Sequence, residues 1–181
     1  MLGVGILMTL IGLLFPQQAG QVVETAIVKT GDMFGPPRQD VDTLARTIWG
    51  EARGEGYDGM VAVANVIMNR HRLRQSGAGY RNFGPVGASV AQICTASKQF
   101  SAWNPGDPNR DKMLQVNGSD PAFDAAFKIA RAALDGTLHD ITRGADHYHA
   151  RTVSPDWARG HQPVKTVGKH VFYNITNKGF V

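Results

Sequence analysis

A helix-forming segment that must be buried constrains the fold of this chain most strongly. Between about Tyr57 and Arg72, apolar residues occupy nearly every side of a helical projection. A helix that is apolar all round belongs in the centre of a domain rather than on its surface. Other elements must therefore surround it, and one domain is the expected arrangement for 181 residues.

An amphipathic helix precedes the buried segment and ends in a glycine-rich break. With Asp40 as its N-cap, apolar residues recur at three- and four-residue spacing over Val41–Ala52. At about 100° per residue, Glu51 lies beside that apolar stripe. A carboxyl group in a partly apolar cleft has a raised pKa and can donate a proton near neutral pH. Glu51 is therefore either a catalytic acid or a solvated surface residue paired loosely with an arginine such as Arg53.

Glu55 follows Glu51 by four residues, but Gly54 lies between them. We interpret Glu55 as a brace that holds the turn onto the next helix, paired with Arg53. The alternative is that it acts as a second catalytic carboxylate.

The remainder of the chain indicates a mainly helical α+β domain. Capping residues and proline and glycine positions mark the helices, and the apolar period changes to two after Gly144. The predicted elements are a short helix at 90–95, a long ordered loop at 97–118, a helix between Asp120 and Gly136, and two strands at 146–149 and 164–173.

The N-terminus carries an uncharged apolar run, Met1–Phe15, closed by Pro16. This run favours an export signal or a weak membrane anchor, with a helix packed on the core as the alternative. We therefore divide the chain into a signal or anchor segment at 1–16, a linker at 17–38 and a folded domain at 39–181.

The charge and cysteine content exclude some classes of protein. The net charge is +4, but the 19 Lys and Arg residues are scattered, without the stripe that nucleic acid binding requires. A mild positive charge suits a polyanionic surface such as a bacterial wall. The single cysteine, Cys94, excludes an intrachain disulfide and is typical of a buried thiol.

His147 and His149 are two residues apart on a predicted strand, so they face the same side. They are candidate zinc ligands, with Glu51 as general base, or they contact a sugar in a cleft. The chain has no helical His-Glu-x-x-His, and we expect neither a metal nor a cofactor. Tyr148 and Trp157 either stack on sugar faces or fill apolar gaps.

A long ordered motif carries a family resemblance. Its parts are Ile48–Glu55, Gly59–Arg70, Gln99–Ser101, Ala145–His149, Pro155–Trp157 and Val167–Phe172. Over about residues 41–173, this pattern resembles the bacterial cell-wall hydrolase family that includes the spore-cortex-lytic enzymes.

The resemblance implies a lysozyme-like α+β fold with a small antiparallel sheet near the C-terminus. It also implies cleavage of the β-1,4 bond between N-acetylmuramic acid and N-acetylglucosamine in peptidoglycan. The family's catalytic glutamate corresponds to Glu51, and two of its groove-lining parts correspond to the Gln-Phe-Ser and His-Tyr-His segments. The predicted substrate-binding residues are Gln99, Ser101, His147, Tyr148 and Glu55.

One well-placed carboxylate suits a lytic transglycosylase, because hydrolysing glycosidases normally use two. In that mechanism Glu51 protonates the glycosidic oxygen and the C6 hydroxyl of muramic acid attacks C1, which gives a 1,6-anhydro product. If Glu55 or Asp146 reaches the cleavage point, hydrolysis by a muramidase is the better interpretation. A zinc amidase or peptidase and a non-catalytic wall-binding module remain as further alternatives.

The sequence departs from the spore enzymes at the predicted strand Asp146–His149, where they tend to carry Thr first and Asn last. It also shows no separate N-terminal repeat domain. A compact domain behind one apolar segment is more similar to a phage endolysin or an exported remodelling enzyme. We expect an exported monomer in the periplasm or wall that acts on peptidoglycan glycan strands, binds no nucleic acid, and associates with the membrane through residues 1–15.

Overall fold

Helix α2, Gly56–Gln75, is the central element of the fold, as its all-round apolar pattern predicts. The computed structural model describes residues 35–176, and the chain divides after Pro37, so the elements below belong to the unit that begins at Arg38. The predicted segment at 1–16 and most of the predicted linker lie outside the described residues. Ala62 and Ile67 of α2 are completely buried.

Two long helices pack on α2 and on each other: α1, Arg38–Ala52, and α5, Pro121–Leu134. Helix α5 begins as predicted, because Asp120 accepts a 2.9 Å hydrogen bond from the Phe123 N–H and caps the helix. The cap predicted for α1 is wrong. That helix begins two residues before Asp40, whose buried carboxylate instead accepts a 2.8 Å hydrogen bond from the Ala91 N–H.

Asp40 thereby stabilises the start of a neighbouring short helix, α3, Val90–Cys94. The capping box predicted for α3 is confirmed: Ser89 and Gln92 each accept a hydrogen bond from the other's backbone N–H. The ordered loop predicted at 97–118 contains regular secondary structure that was not predicted. It contains a 3₁₀ turn, Ser101–Trp103, and a short helix α4, Arg110–Gln115.

A three-stranded antiparallel sheet lies near the C-terminus. Its strands are β1, His147–Ala150, β2, Lys165–Val167, and β3, His170–Tyr173, in the order β1-β3-β2. The single strand predicted at 164–173 is wrong, because Gly168 adopts a positive φ of 54° and turns the chain into a hairpin. The expected mainly helical α+β class with a small C-terminal antiparallel sheet is confirmed.

Polar side chains of α2 hold the segment that leads into β1. The amide of Asn65 donates to the His139 carbonyl at 3.3 Å and accepts from the Ile141 N–H at 3.1 Å. Asn69 donates to the Ala145 carbonyl at 2.8 Å. These bonds fix β1 over the central helix.

Within residues 35–176, no helix has the length and apolar character needed to cross a membrane.

Candidate active site

Glu51 lies near the C-terminal end of α1 and receives donors from two other parts of the chain. The Ala102 N–H lies 3.3 Å from its Oε1, and the Ser101 hydroxyl lies 3.5 Å from the same oxygen. The Tyr148 hydroxyl donates to its Oε2 at 3.0 Å. Three of the residues predicted from sequence therefore meet: Glu51, Ser101 and Tyr148.

Burial raises the pKa of Glu51 above its ordinary value, and the nearby charge of Asp107 adds to this effect. Hydrogen bonds from Ala102, Tyr148 and Ser101 act in the opposite direction, because they favour the carboxylate. Burial prevails, so the pKa is raised as the sequence predicted. Glu51 therefore keeps its proton at a higher pH than an exposed glutamate does. Once the proton is lost, the three hydrogen-bond donors stabilise the carboxylate.

Gly50 allows the Ser101–Trp103 turn to approach α1 closely. A Cβ at this position would lie 2.7 Å from the Cβ of Ala102 and 3.2 Å from Sδ of Met113. Real Cβ atoms essentially never come within 3.0 Å of such an atom. The missing side chain therefore lets the backbone of Ala102 reach the carboxylate of Glu51.

Tyr148 is positioned by the sheet. It lies opposite Phe172 in the register of β1 and β3, and the two rings stack with centroids 5.6 Å apart. The ring of His170 contacts it edge-on at 5.1 Å. Burial raises the pKa of Tyr148 well above its usual range, so the phenol stays protonated and serves as a donor to Glu51.

A groove of about 550 Å³ opens beside Tyr148. We call it the Tyr148 groove. Its lining includes aromatic, amide and cationic side chains, among them Tyr80, Trp157, Asn82, Gln99 and Arg70. Because Tyr148 both lines the groove and contacts Glu51, the groove leads towards this carboxyl group.

His147 also lines the Tyr148 groove, as predicted, and its position is fixed by the residue before it in the chain. Its Nδ1 lies 2.8 Å from Oδ1 of Asp146, and its ring contacts Tyr80 at 5.3 Å and Trp157 at 5.1 Å. His149 likewise contacts Trp157, at 5.6 Å, which confirms that the two histidines share a face.

Both nitrogens of His149 have protein partners, the Ala150 carbonyl at 2.9 Å and the Tyr173 hydroxyl at 3.1 Å. Over residues 35–176, the structure contains no group of three or more His, Cys, Asp or Glu side chains arranged to hold a metal ion.

Glu55 faces the hairpin between β2 and β3 rather than the Tyr148 groove. Its Oε2 accepts a 2.8 Å hydrogen bond from the Lys169 N–H, and this bond, the strongest influence, lowers its pKa. Glu55 therefore braces the hairpin rather than the turn onto the next helix, where it makes no side-chain cap, and its expected partner was wrong. Arg53 instead lies 4.3 Å from the Trp49 ring and donates to Asn109 at 2.7 Å.

Asp146 is completely buried, at the edge of the sheet. Burial alone would raise its pKa, but hydrogen bonds from His147, Thr176 and Ile175 outweigh that effect and hold the pKa at about 2. Its carboxylate is occupied by these structural contacts. Neither Asp146 nor Glu55 lines the Tyr148 groove.

Two residues near the site were not recognised from the sequence alone. Arg70 lies at the polar end of a buried helix. No pattern in the neighbouring sequence indicates that it lines the groove. Asp107 lies in a segment rich in proline and glycine. This segment has no periodicity that would indicate which way its side chains face. Only the packing of distant segments brings them towards Glu51.

A sequence profile of cell wall hydrolases matches residues 54–173 of this chain. The spore cortex-lytic enzyme of Bacillus subtilis (strain 168) is 29% identical over 139 residues, covering 76% of this chain and 38% of that protein. The spore cortex-lytic enzyme of Oceanobacillus iheyensis is 27% identical over 146 residues, covering 76% of this chain and 42% of that protein. The chain thus spans less than half the length of these curated relatives.

Two solved structures share the fold. The catalytic domain of the Bacillus cereus SleB protein aligns with a TM-score of 0.57 and 28% identity, covering 78% of this chain and 94% of that one. The catalytic domain of the germination-specific lytic transglycosylase SleB from Bacillus anthracis aligns with a TM-score of 0.56 and 26% identity, covering 78% and 98%.

Proposed function

The chain belongs to the cell wall hydrolase family, and from this premise we propose that it cleaves the β-1,4 bond between N-acetylmuramic acid and N-acetylglucosamine in peptidoglycan. The observation that carries the proposal is the environment of Glu51, a half-buried carboxyl group with a raised pKa and three donors directed at its oxygens. Such a group can protonate a leaving oxygen and then remain stable as a carboxylate.

The reaction we propose is lytic transglycosylation. Glu51 donates its proton to the glycosidic oxygen as the bond from that oxygen to C1 of muramic acid breaks. The C6 hydroxyl of the same sugar attacks C1, and its proton passes to the Glu51 carboxylate. The products are a 1,6-anhydro sugar and a free hydroxyl on the leaving sugar, and no water is consumed. The N–H of Ala102 and the hydroxyl of Tyr148 stabilise the carboxylate between the two proton transfers.

The scarcity of a second carboxylate supports this reaction over hydrolysis. Within the described residues, no Asp or Glu lines the Tyr148 groove. Glu55 is bonded to the hairpin, and Asp146 is buried against the backbone of Ile175 and Thr176. A glycosidase that activates water normally needs a partner for its acid.

A second candidate function, hydrolysis by a muramidase, is favoured by Asp107, whose charge contributes to raising the pKa of Glu51. In that case Asp107 would activate the water molecule, and Asp107→Asn would abolish cleavage. Under transglycosylation, Asp107→Asn keeps most activity and lowers the pKa of Glu51.

A zinc-dependent amidase would lose its activity in a chelator, and it would release peptides rather than disaccharides.

A peptidoglycan substrate places the protein outside the cytoplasmic membrane. We therefore propose export to the periplasm or wall, with residues 1–16 as signal or residues 1–15 as anchor, and action as a monomer. The domain would serve in an endolysin of a phage or in wall remodelling. N-terminal sequencing of the exported protein distinguishes a cleaved signal from a retained anchor.

The test of the catalytic assignment is a pair of matched substitutions. Glu51→Gln keeps the shape and the donors but cannot act as an acid, so we expect the release of muropeptides from purified sacculi to fall by about 10²–10⁴-fold. Glu55→Gln removes the other glutamate of the same motif and should keep most of the cleavage. Retained cleavage in Glu51→Gln would overturn the assignment.

A further inference from the structure

The Tyr148 groove has an unbalanced charge. Two cationic side chains, Arg70 and Lys98, line it, and none of its described lining residues is an aspartate or glutamate. Asn82 and Gln99 add amide groups to the same lining. A cleft with charge of one sign attracts a ligand of the opposite sign.

Arg70 is an unusual residue within this lining because it is 5% exposed and still carries a charge. Burial lowers its pKa to about 10, which leaves the guanidinium protonated at neutral pH. Its Nε donates to the Asp146 carbonyl at 2.7 Å, and its Nη1 lies 3.5 Å from Oε1 of Gln99. The rings of Phe83 and Phe100 lie 4.5 and 5.2 Å from the guanidinium carbon.

No described carboxylate forms an ion pair with Arg70, and its Nη2 has no hydrogen-bond partner in residues 35–176. Buried charges in proteins are normally paired, because an unpaired one loses its hydration without compensation. The free edge of this guanidinium belongs to a residue that lines the groove. The charges of Asp146 and Glu51 act on Arg70 without touching it, so its open edge is left for a carboxylate that a ligand can supply.

Lys98 is a second cation in the lining of the groove. It is exposed, and it adopts a positive φ of 61°, a conformation that residues other than glycine rarely take. Backbone strain of this kind is concentrated at functional sites. Gln99, the next residue, contacts Arg70, so this short segment connects the two cations.

We propose that Arg70, Lys98 and the amide of Gln99 form a subsite that binds a carboxylate group of the glycan substrate. The inference rests on the proposed function and adds to it a requirement for charge on the sugar chain. An arginine edge and a carboxylate form short, charge-assisted hydrogen bonds. Because Tyr148 lines the same groove and contacts Glu51, the bound carboxylate lies near the bond that is cleaved.

Peptidoglycan offers this chemistry from two sources. In peptide-free strands, the lactyl group of muramic acid ends in a free carboxylate. In strands with stem peptides, that carboxylate forms an amide bond and the free carboxylates lie on the peptide. The subsite accepts the same chemical group in either case, and the two sources can be separated by chemical modification of the ligand.

The experiment is isothermal titration calorimetry on the full chain carrying Glu51→Gln, which binds without turnover. The ligands are soluble glycan fragments of equal length, with or without stem peptides, each as the free acid and after conversion of its carboxylates to neutral amides. We expect amidation to weaken binding about tenfold or more, the size of a charge-assisted hydrogen bond. A loss confined to peptide-free fragments identifies the lactyl group, and one confined to peptide-bearing fragments identifies the peptide.

Variants separate recognition from structure. Lys98→Gln and Arg70→Gln should reduce the difference between acid and amide ligands, whereas Lys165→Gln, an exposed lysine on β2, should preserve it. Lys98 is on the surface, so its variant remains informative if Arg70→Gln does not fold. Equal affinities for acid and amide ligands would overturn the subsite. If the acid is preferred but wild-type protein releases no product, the subsite stands and the proposed reaction fails.

Discussion

The hydroxyl of Tyr148 donates a 3.0 Å hydrogen bond to Oε2 of Glu51 across 97 residues of sequence. The bond joins the sheet to the end of α1 and orients the carboxyl group. It also lowers the pKa of Glu51, in opposition to burial. The same contact therefore positions the acid and limits how strongly it holds its proton.

Removal of this hydroxyl should change the pH profile as well as the rate. Tyr148→Phe keeps the ring on Phe172 but removes the donor, so the pKa of Glu51 should rise further. We expect a lower maximal rate and an alkaline limb that moves to higher pH, measured as muropeptide release against pH. Tyr173→Phe, which removes a hydroxyl bonded to His149, should leave that limb in place.

The raised pKa of Glu51 also predicts how stability depends on pH. Between its ordinary pKa of 4.5 and its higher folded value, the folded chain binds more protons than the unfolded chain. The contribution of this group to the free energy of unfolding is therefore fully present below pH 4.5 and falls as pH rises through the folded pKa. Glu51→Gln should match the wild type in acid and exceed it in thermal stability near neutral pH. A variant that is less stable than wild type at neutral pH contradicts this.

Asp146 should have the opposite pH dependence. Its pKa is held at about 2, against 3.8 ordinarily, so its contribution is present above pH 3.8 and is lost as pH falls towards 2. That difference corresponds to about 2 kcal/mol of unfolding free energy. Asp146→Asn should remove this acid-sensitive contribution in urea titrations at several pH values. The exposed Asp156→Asn should retain it, because only a surface pair with Arg159 is lost.

Gly50 provides a test of the close approach between α1 and the Ser101–Trp103 turn. Alanine normally stabilises a helix relative to glycine by about 1 kcal/mol. Here its Cβ would clash with Ala102 at 2.7 Å, so we expect Gly50→Ala to lower both stability and the rate of cleavage. Gly54→Ala has open space around its new Cβ and should affect neither. If the two variants have the same melting temperature and the same rate of cleavage, this explanation is contradicted.

The sequence could predict the elements whose signals are local. The apolar surface of α2, the cap of α5 at Asp120 and the phase of Glu51 all follow from spacing within one segment. Asp40 shows the limit of such signals, because its side chain caps a helix 51 residues away rather than its own. The same limit applies to the strand at 164–173, where one left-handed glycine, Gly168, changed a strand into a hairpin.

The site itself depends on contacts between distant segments. Periodicity placed Tyr148 on a strand, but its proximity to Glu51 could be expected only from the family resemblance. Arg70 belongs to the family motif, but no local pattern predicts its burial, because a polar residue at the end of a buried helix usually faces solvent. Its burial results from the rings of Phe83 and Phe100 packing around it, and no short segment of sequence records that arrangement.

The most direct test of the account is the chemistry of the product. Purified protein should be incubated with sacculi in water enriched in the heavy oxygen isotope, and the released muropeptides analysed by mass spectrometry. We predict 1,6-anhydro-muramic ends that carry no heavy oxygen, and about 10²–10⁴-fold less product from Glu51→Gln. Reducing muramic ends that have taken up one heavy oxygen atom would show that water attacks C1, and would contradict transglycosylation by Glu51.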